Sequence, residues 1–241
     1  NVTLLTLWDE HTLLCCSRWQ GLLLLDLKTG KYNPPPFDCG KEIMNIFIDS
    51  QKRIWVAPYN GGLNCLTRDG KLLATYTTRN SSLSNNVVLS LAEREGQIWI
   101  GTDGGGINIL DPETGQFSLL EHIPGRDNYS LPANSILCLY NDRNNNMWAG
   151  SIRNGLISIR EVSMKTYKDV LPGNDRGLSN STVLSLFQES ENRIWIGTDG
   201  GGINSFNPFT EKFAHYPSTW EDKVASICQF TPGKLLISLF S

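Results

Sequence analysis

Apolar and polar residues alternate along this chain in short runs of four to six positions, and the runs are separated by clusters of Gly, Asn, Asp and Pro. One stretch shows the pattern. Val87 to Ala92 is β-rich, and Arg94-Glu95-Gly96-Gln97 reads as a turn. Ile98 to Thr102 follows as a second strand, Asp103 to Gly105 as a Gly-rich turn, and Ile107 to Leu110 as a third strand. Pro112 to Gly115 turns the chain again, and Phe117 to Leu120 is a fourth strand. Each run is bounded where turn residues belong, and no segment holds a helical period.

The same cycle recurs. Ile98 to Asn108 repeats residue for residue from Ile194 to Asn204. Weaker copies start at Ile54 and Met147, a degenerate one at Leu13, and a last one at Leu235. Residues 14, 55, 99, 148, 195 and 236 share one phase, at spacings of 41 to 49 residues. LSNNVVLSL (from Leu83), LPANSILCL (from Leu131) and LSNSTVLSL (from Leu178) precede the tryptophans. LDPETGQF (from Leu110) and FNPFTEKF (from Phe206) follow them.

Four short antiparallel strands every ~40–50 residues are the signature of a β-propeller blade. The expected fold is all-β, with about five and a half four-stranded blades over the whole chain, near 1–33, 43–77, 86–121, 134–168 and 182–216, and a half blade over 223–241. The last unit has two strands where the others have four. The expectation is therefore a segment of a larger, seven-bladed array that cannot close as such a ring by itself, with closure by a second copy as the alternative. Trp55, Trp99, Trp148 and Trp195 are expected to plug the seams between blades, with Leu14 and Leu236 in the same slot. The glycines that follow, Gly101, Gly150 and Gly197, are expected where a neighbouring blade approaches closely.

These residues resemble the two-component regulator propeller repeat. The resemblance covers the whole chain. It implies a periplasmic sensor domain of a Bacteroidetes-type hybrid two-component system, part of an inner-membrane-anchored protein that works as a homodimer. It implies carbohydrate sensing, with signal transduction to a histidine kinase and transcription regulation downstream. The function expected is non-catalytic binding of a glycan-derived oligosaccharide, which passes a packing change to the transmembrane kinase. A protein-interaction or dimerisation scaffold is the alternative, and a polysaccharide lyase or hydrolase the next. No cofactor and no metal are expected.

If the strands of a blade are labelled A to D from the axis outward, the B–C turns and the D–A connections emerge on one face. Variable loops on a repeated scaffold are the usual place for binding. The candidate ligand residues are Arg18, Trp19, Tyr59, Asp103, Tyr129, Arg153, Asp199 and Trp220. Aromatic rings can stack on the C–H faces of sugars, while Asp and Arg take hydroxyls. Phe37, Arg126, Asp175 and Arg176 lie in the same D–A loops.

Composition narrows the function classes. The 241 residues carry a net charge of −3, too weak a field to attract nucleic acid or an anionic membrane. The longest wholly apolar run is five residues, Ile136 to Tyr140, with Leu22 to Leu25 a run of four, far below the ~20 of a membrane span. Membrane attachment is expected only through segments outside this sequence. The opening at Asn1, without a leader pattern, reads as a mature terminus or a cut. The six cysteines show no CxxC or zinc spacing and read as free and buried. GTDGGG lacks the Lys-Ser/Thr of a phosphate loop. Asp142 to Asn146 begins like a calcium loop, but Met147 stands where Gly is required. Both read as hairpin turns.

Overall fold

The computed structural model describes residues 2–17, 21–37, 42–124, 130–159, 164–171, 173–216, 223–231 and 233–240. All regular structure among them is β. The first sheet comprises β1 (Val2–Asp9), β2 (Thr12–Ser17), β3 (Gly21–Asp26) and β4 (Tyr32–Asn33). The second has β5 (Ile43–Ile48), β6 (Ile54–Pro58), β7 (Leu63–Leu66) and β8 (Leu72–Tyr76). The third has β9 (Val88–Arg94), β10 (Gln97–Thr102), β11 (Ile107–Leu110) and β12 (Phe117–Leu120). The fourth has β13 (Ile136–Asn141), β14 (Met147–Ser151), β15 (Gly155–Ile159) and β16 (Met164–Tyr167). The fifth has β17 (Val183–Ser190), β18 (Arg193–Thr198), β19 (Ile203–Asn207) and β20 (Lys212–Tyr216). The sixth has two strands, β21 (Lys223–Thr231) and β22 (Lys234–Phe240). Every sheet is an antiparallel meander in chain order.

The chain is a β-propeller of five four-stranded blades and a partial sixth sheet. The sixth sheet packs on β17 and β18, and β21 also touches β1. The inner strands of all six sheets line one axial channel. The segment expected from the strand count thus already encircles an axis.

Strand A is longer than its apolar pattern suggests. β9 runs on to Arg94, and β10 begins at Gln97. Only Glu95 and Gly96 remain for the turn, with φ of 55° and 78°. Two positive φ values make the tight turn whose twist matches the flanking strands. The pairing also slips once at the start of each inner strand. In the third sheet Gly101 faces Ser90 while Thr102 faces Val88, so Leu89 is an extra residue, a β-bulge. The same slip occurs in the other five inner strands.

The core lies in the seams between sheets. Trp55 is fully buried against Val88, Leu91, Ile98 and Ile100 of the next sheet and stacks on Tyr76 at 6.2 Å. Trp148 is buried against the fifth sheet, with Phe206 at 5.5 Å. Trp99 packs with Ile136, Leu139 and Met147 of the fourth sheet, and Trp195 sits part-buried beside β21. Leu14 is fully buried in the first seam. Leu236 departs from the expectation. It is 42% exposed, because the sixth sheet has no third or fourth strand among the described residues to flank it.

The glycine after the tryptophan is where the next sheet touches. A Cβ on Gly101 would lie 2.8 Å from Ile136 Cγ2, and one on Gly150 2.6 Å from Val183 Cβ. A side-chain hydrogen bond crosses the same seam. Asn45 Nδ2 donates to Leu89 O at 2.8 Å, and Ser90 Oγ to Ile136 O at 3.3 Å. Cys138 Sγ donates to Val183 O at 3.6 Å, and Ser185 Oγ to Val224 O at 3.0 Å. Each donor is the third residue of its inner strand, and each acceptor is the first or second residue of the next inner strand.

Candidate functional site

One face of the ring gathers the B–C turns and the D–A connections, and the repeat motifs build it. Tyr59, Asp103, Ile152 and Asp199 each open a B–C turn, and their backbone N–H groups donate to Glu42, Val87, Ser135 and Thr182 at 2.8 to 3.1 Å. The turn then clasps the next connection. Gly62, Gly106 and Gly155 donate to Asn86, Asn134 and Ser181 at 2.8 to 3.0 Å.

The Leu-Ser-Asn landmark completes the clasp. Ser84 N donates to Asn108 Oδ1 at 2.9 Å, Asn108 Nδ2 to Ser84 Oγ at 2.7 Å, and Ser84 Oγ to Gly105 O at 2.7 Å. Ser179, Asn204 and Gly201 repeat this set in the fifth sheet. The most repeated polar residues are therefore consumed in holding loops. A ligand must be read by the residues that vary between them.

Tyr59, Asp103, Arg153 and Asp199 stand on this face, in the B–C turns of four successive sheets. Tyr59 is 61% exposed. Asp103 is exposed and accepts from Ser135 Oγ at 2.9 Å. Arg153 is exposed, with a positive φ of 63°. Asp199 pairs with Lys223 at 3.3 Å, at the end of the axial channel that opens here. Arg18, Trp19, Tyr129 and Trp220 lie outside the described residues, as does Arg126. Phe37 is packed down, 6.1 Å from the Trp8 ring, and Asp175 pairs with Lys212 at 2.9 Å.

The look-alike motifs are turns. Asp142 Oδ1 accepts the backbone N–H groups of Asn144 and Asn146, both at about 2.9 Å or less, and its other oxygen accepts from Trp148 Nε1 at 2.9 Å. Asp49 and Glu189 do the same for Trp55 and Trp195, at 2.9 and 3.1 Å. Glu93 occupies that place in the third sheet but bonds Ser50 of the second, and Trp99 Nε1 is left buried without a partner. An acidic residue six positions before each tryptophan was the sequence signal for these bonds. The sequence reading also missed Lys223 and the channel wall. Their signal is the apolar residue repeated at the second position of the inner strands of sheets two to five and at the third position, Ala225, in the sixth.

No group of three or more His, Cys, Asp and Glu that could hold a metal occurs among the described residues. Cys15, Cys65 and Cys138 are free and buried, Cys16 is buried with its thiol donating to Ile43 O at 3.7 Å, Cys228 is free and half-buried, and Cys39 lies outside the described residues. Burial pushes the Cys138 thiol up to about 12 and the Cys65 thiol to about 11, so neither is a nucleophile at neutral pH. Among the described residues no helix is long and apolar enough to cross a membrane.

Residues 82–104, 130–153 and 177–200 match the family model "Two component regulator propeller". No curated protein matches the sequence. Among solved structures, a chain described as the extracellular domain of a hybrid two component system from B. thetaiotaomicron is 18% identical, with a TM-score of 0.68. It is matched over 98% of this chain and 37% of its own length. PorZ, a surface component of the type-IX secretion system of Porphyromonas gingivalis, is 15% identical, with a TM-score of 0.63 over 99% of this chain and 39% of its own. The computationally designed protein Ika8 is 15% identical, with a TM-score of 0.59 over 99% and 68%. The chain thus spans well under half the length of the two natural proteins. At these identities the likeness is one of fold. The three matched stretches run from the Leu-Ser-Asn clasp through the tryptophan into the B–C turn, and on them the chain carries two component regulator propeller repeats.

Proposed function

We propose that this chain is the non-catalytic, ligand-sensing part of an extracytoplasmic sensor of the two-component type. It binds a glycan-derived oligosaccharide on the face of the B–C turns. The observation that carries the reading is that the three matched repeats end in the very turns that present variable side chains on one face. The description of the B. thetaiotaomicron structure as an extracellular domain of a hybrid two component system supports an extracytoplasmic position, which this reading takes to be periplasmic. The reading assigns the chain to a membrane-anchored histidine kinase that acts as a homodimer. Tyr59 offers a ring for a sugar face, and Asp103, Arg153 and Asp199 offer partners for hydroxyls. Binding drives signalling only if two packing states differ in affinity for the ligand.

Calorimetry and thermal shift against a panel of neutral and acidic oligosaccharides, with product analysis of the same samples, test this. Specific stabilisation without turnover is expected, and Tyr59→Ala should weaken it without lowering the melting temperature of the free protein. Cleavage of a panel member would transfer the reading to an enzyme. Absence of binding across the panel would transfer it to a protein-interaction propeller. One observation favours that second reading, the exposure of Phe230, Leu236 and Leu239 on the sixth sheet.

A further inference from the structure

The axial channel has a wall unlike the loop face around its mouth. It encloses about 500 Å³, within the usual range of small-molecule sites. The bulge in each inner strand re-aims one side chain. Met44, Leu89, Leu137, Leu184 and Ala225 occupy that position in five successive sheets, and all five line the channel. Each is at least partly exposed, Met44 by 36%. The polar side chains beside four of them are engaged elsewhere. Asn45, Ser90, Cys138 and Ser185 donate across the seams to the neighbouring sheets. At this level the side chains left to meet a ligand are apolar apart from Ser226 of the sixth sheet, with strand-edge backbone between them. Apolar side chains kept in contact with solvent at one position of five consecutive repeats mark a surface with an occupant.

The mouth constrains what that occupant carries outside. Asp199 and Lys223, the charged side chains of the channel lining, form a balanced pair at 3.3 Å. An anionic head meets the carboxylate of this pair, and a cationic head meets its ammonium. A hydroxylated, uncharged head donates to the carboxylate and accepts from the ammonium at once.

We propose that the channel takes the apolar tail of an uncharged amphiphile, an alkyl or aryl glycoside, whose sugar head rests at the mouth against the Asp199–Lys223 pair. This deepens the sensing reading by naming what joins the sugar, and it rests on that reading for the head. The tail follows from the wall alone.

The test compares n-octyl β-D-glucoside, below its micellar concentration, with methyl β-D-glucoside and octanoate by isothermal calorimetry on the same protein. The octyl glycoside should bind at least about tenfold more tightly than the methyl glycoside, a modest return for seven further methylenes leaving water. It should also bind more tightly than octanoate, whose head is charged. Leu137→Trp fills the channel and should weaken octyl glucoside binding at least about tenfold, with circular dichroism and melting unchanged. Ala225→Leu narrows it from the sixth sheet and serves if the first variant does not fold. Equal affinity for the octyl and methyl glycosides, or unchanged octyl glucoside binding in a folded channel variant, overturns the proposal. Oligosaccharide binding with no gain from the octyl tail would overturn the channel site and leave the sensing reading intact. Octyl glucoside binding with no response to the oligosaccharides would do the reverse.

Discussion

A tryptophan at a seam brings one polar atom into an apolar place, and the fate of that atom differs between blades. Trp148 Nε1 finds Asp142, whose carboxylate also gathers the backbone of its own turn. Asp142→Ala therefore strands a buried donor and loosens the turn together. We expect a loss of about 1–3 kcal/mol in urea unfolding followed by tryptophan fluorescence. Trp99 supplies the contrast, since its N–H is already without a partner, and Glu93→Ala should cost only the link to Ser50. The tryptophans were legible because their phase repeats. The acceptors were not, because they are Asp in two blades and Glu in a third, in turns where acidic residues are common for other reasons. Asp111 is such a case. The backbone N–H of Glu113 and the side chain of Thr114 hold its carboxyl below the usual range, with no tryptophan involved.

At the scale of the element, the hairpins followed from the alternation of apolar and polar runs, and the bulges did not. A run such as Val-Val-Leu-Ser-Leu reads as one strand, and its extra residue shows only when Gly101 is seen opposite Ser90 and Thr102 opposite Val88. That is why the sequence located the variable loops and missed the channel wall, which is made of the extra residues. The B–C turns give a sharp test of element geometry. Gly155 has φ of +75°, and a Cβ there would lie 1.9 Å from Tyr167 O. The turn must open for alanine to fit. Gly155→Ala should destabilise the protein by more than about 1 kcal/mol and lower its melting temperature. Gly115 also has a positive φ, 71°, but open space around it. Its alanine variant should cost less, so the difference between the two isolates the clash.

For the whole molecule, the blade count was readable and the closure was not. Six repeat phases give six sheets, but the contact of β21 with β1 depends on how far each seam turns the ring. The seams are separate, which makes their energetics additive in principle. Ser90→Ala and Ser185→Ala each remove one cross-seam hydrogen bond, and each should cost about 0.5–1.5 kcal/mol. The double variant should lose the sum, read as a shift in the urea midpoint. A much larger loss in the double variant would mean that the seams share strain around the ring.

The four seam bonds all point the same way round, from the third residue of one inner strand to the start of the next. A join of this kind does not depend on the identity of the units on its two sides. If a whole period were copied in, or taken out, every remaining donor would still meet an acceptor of the same kind. The interface is thus a standard fitting, and the number of units is free to drift while the fitting is kept. The eleven residues shared without change by the third and fifth sheets, Ile98 to Asn108 and Ile194 to Asn204, fit such a history, one unit lengthening the series and later diverging outside that stretch.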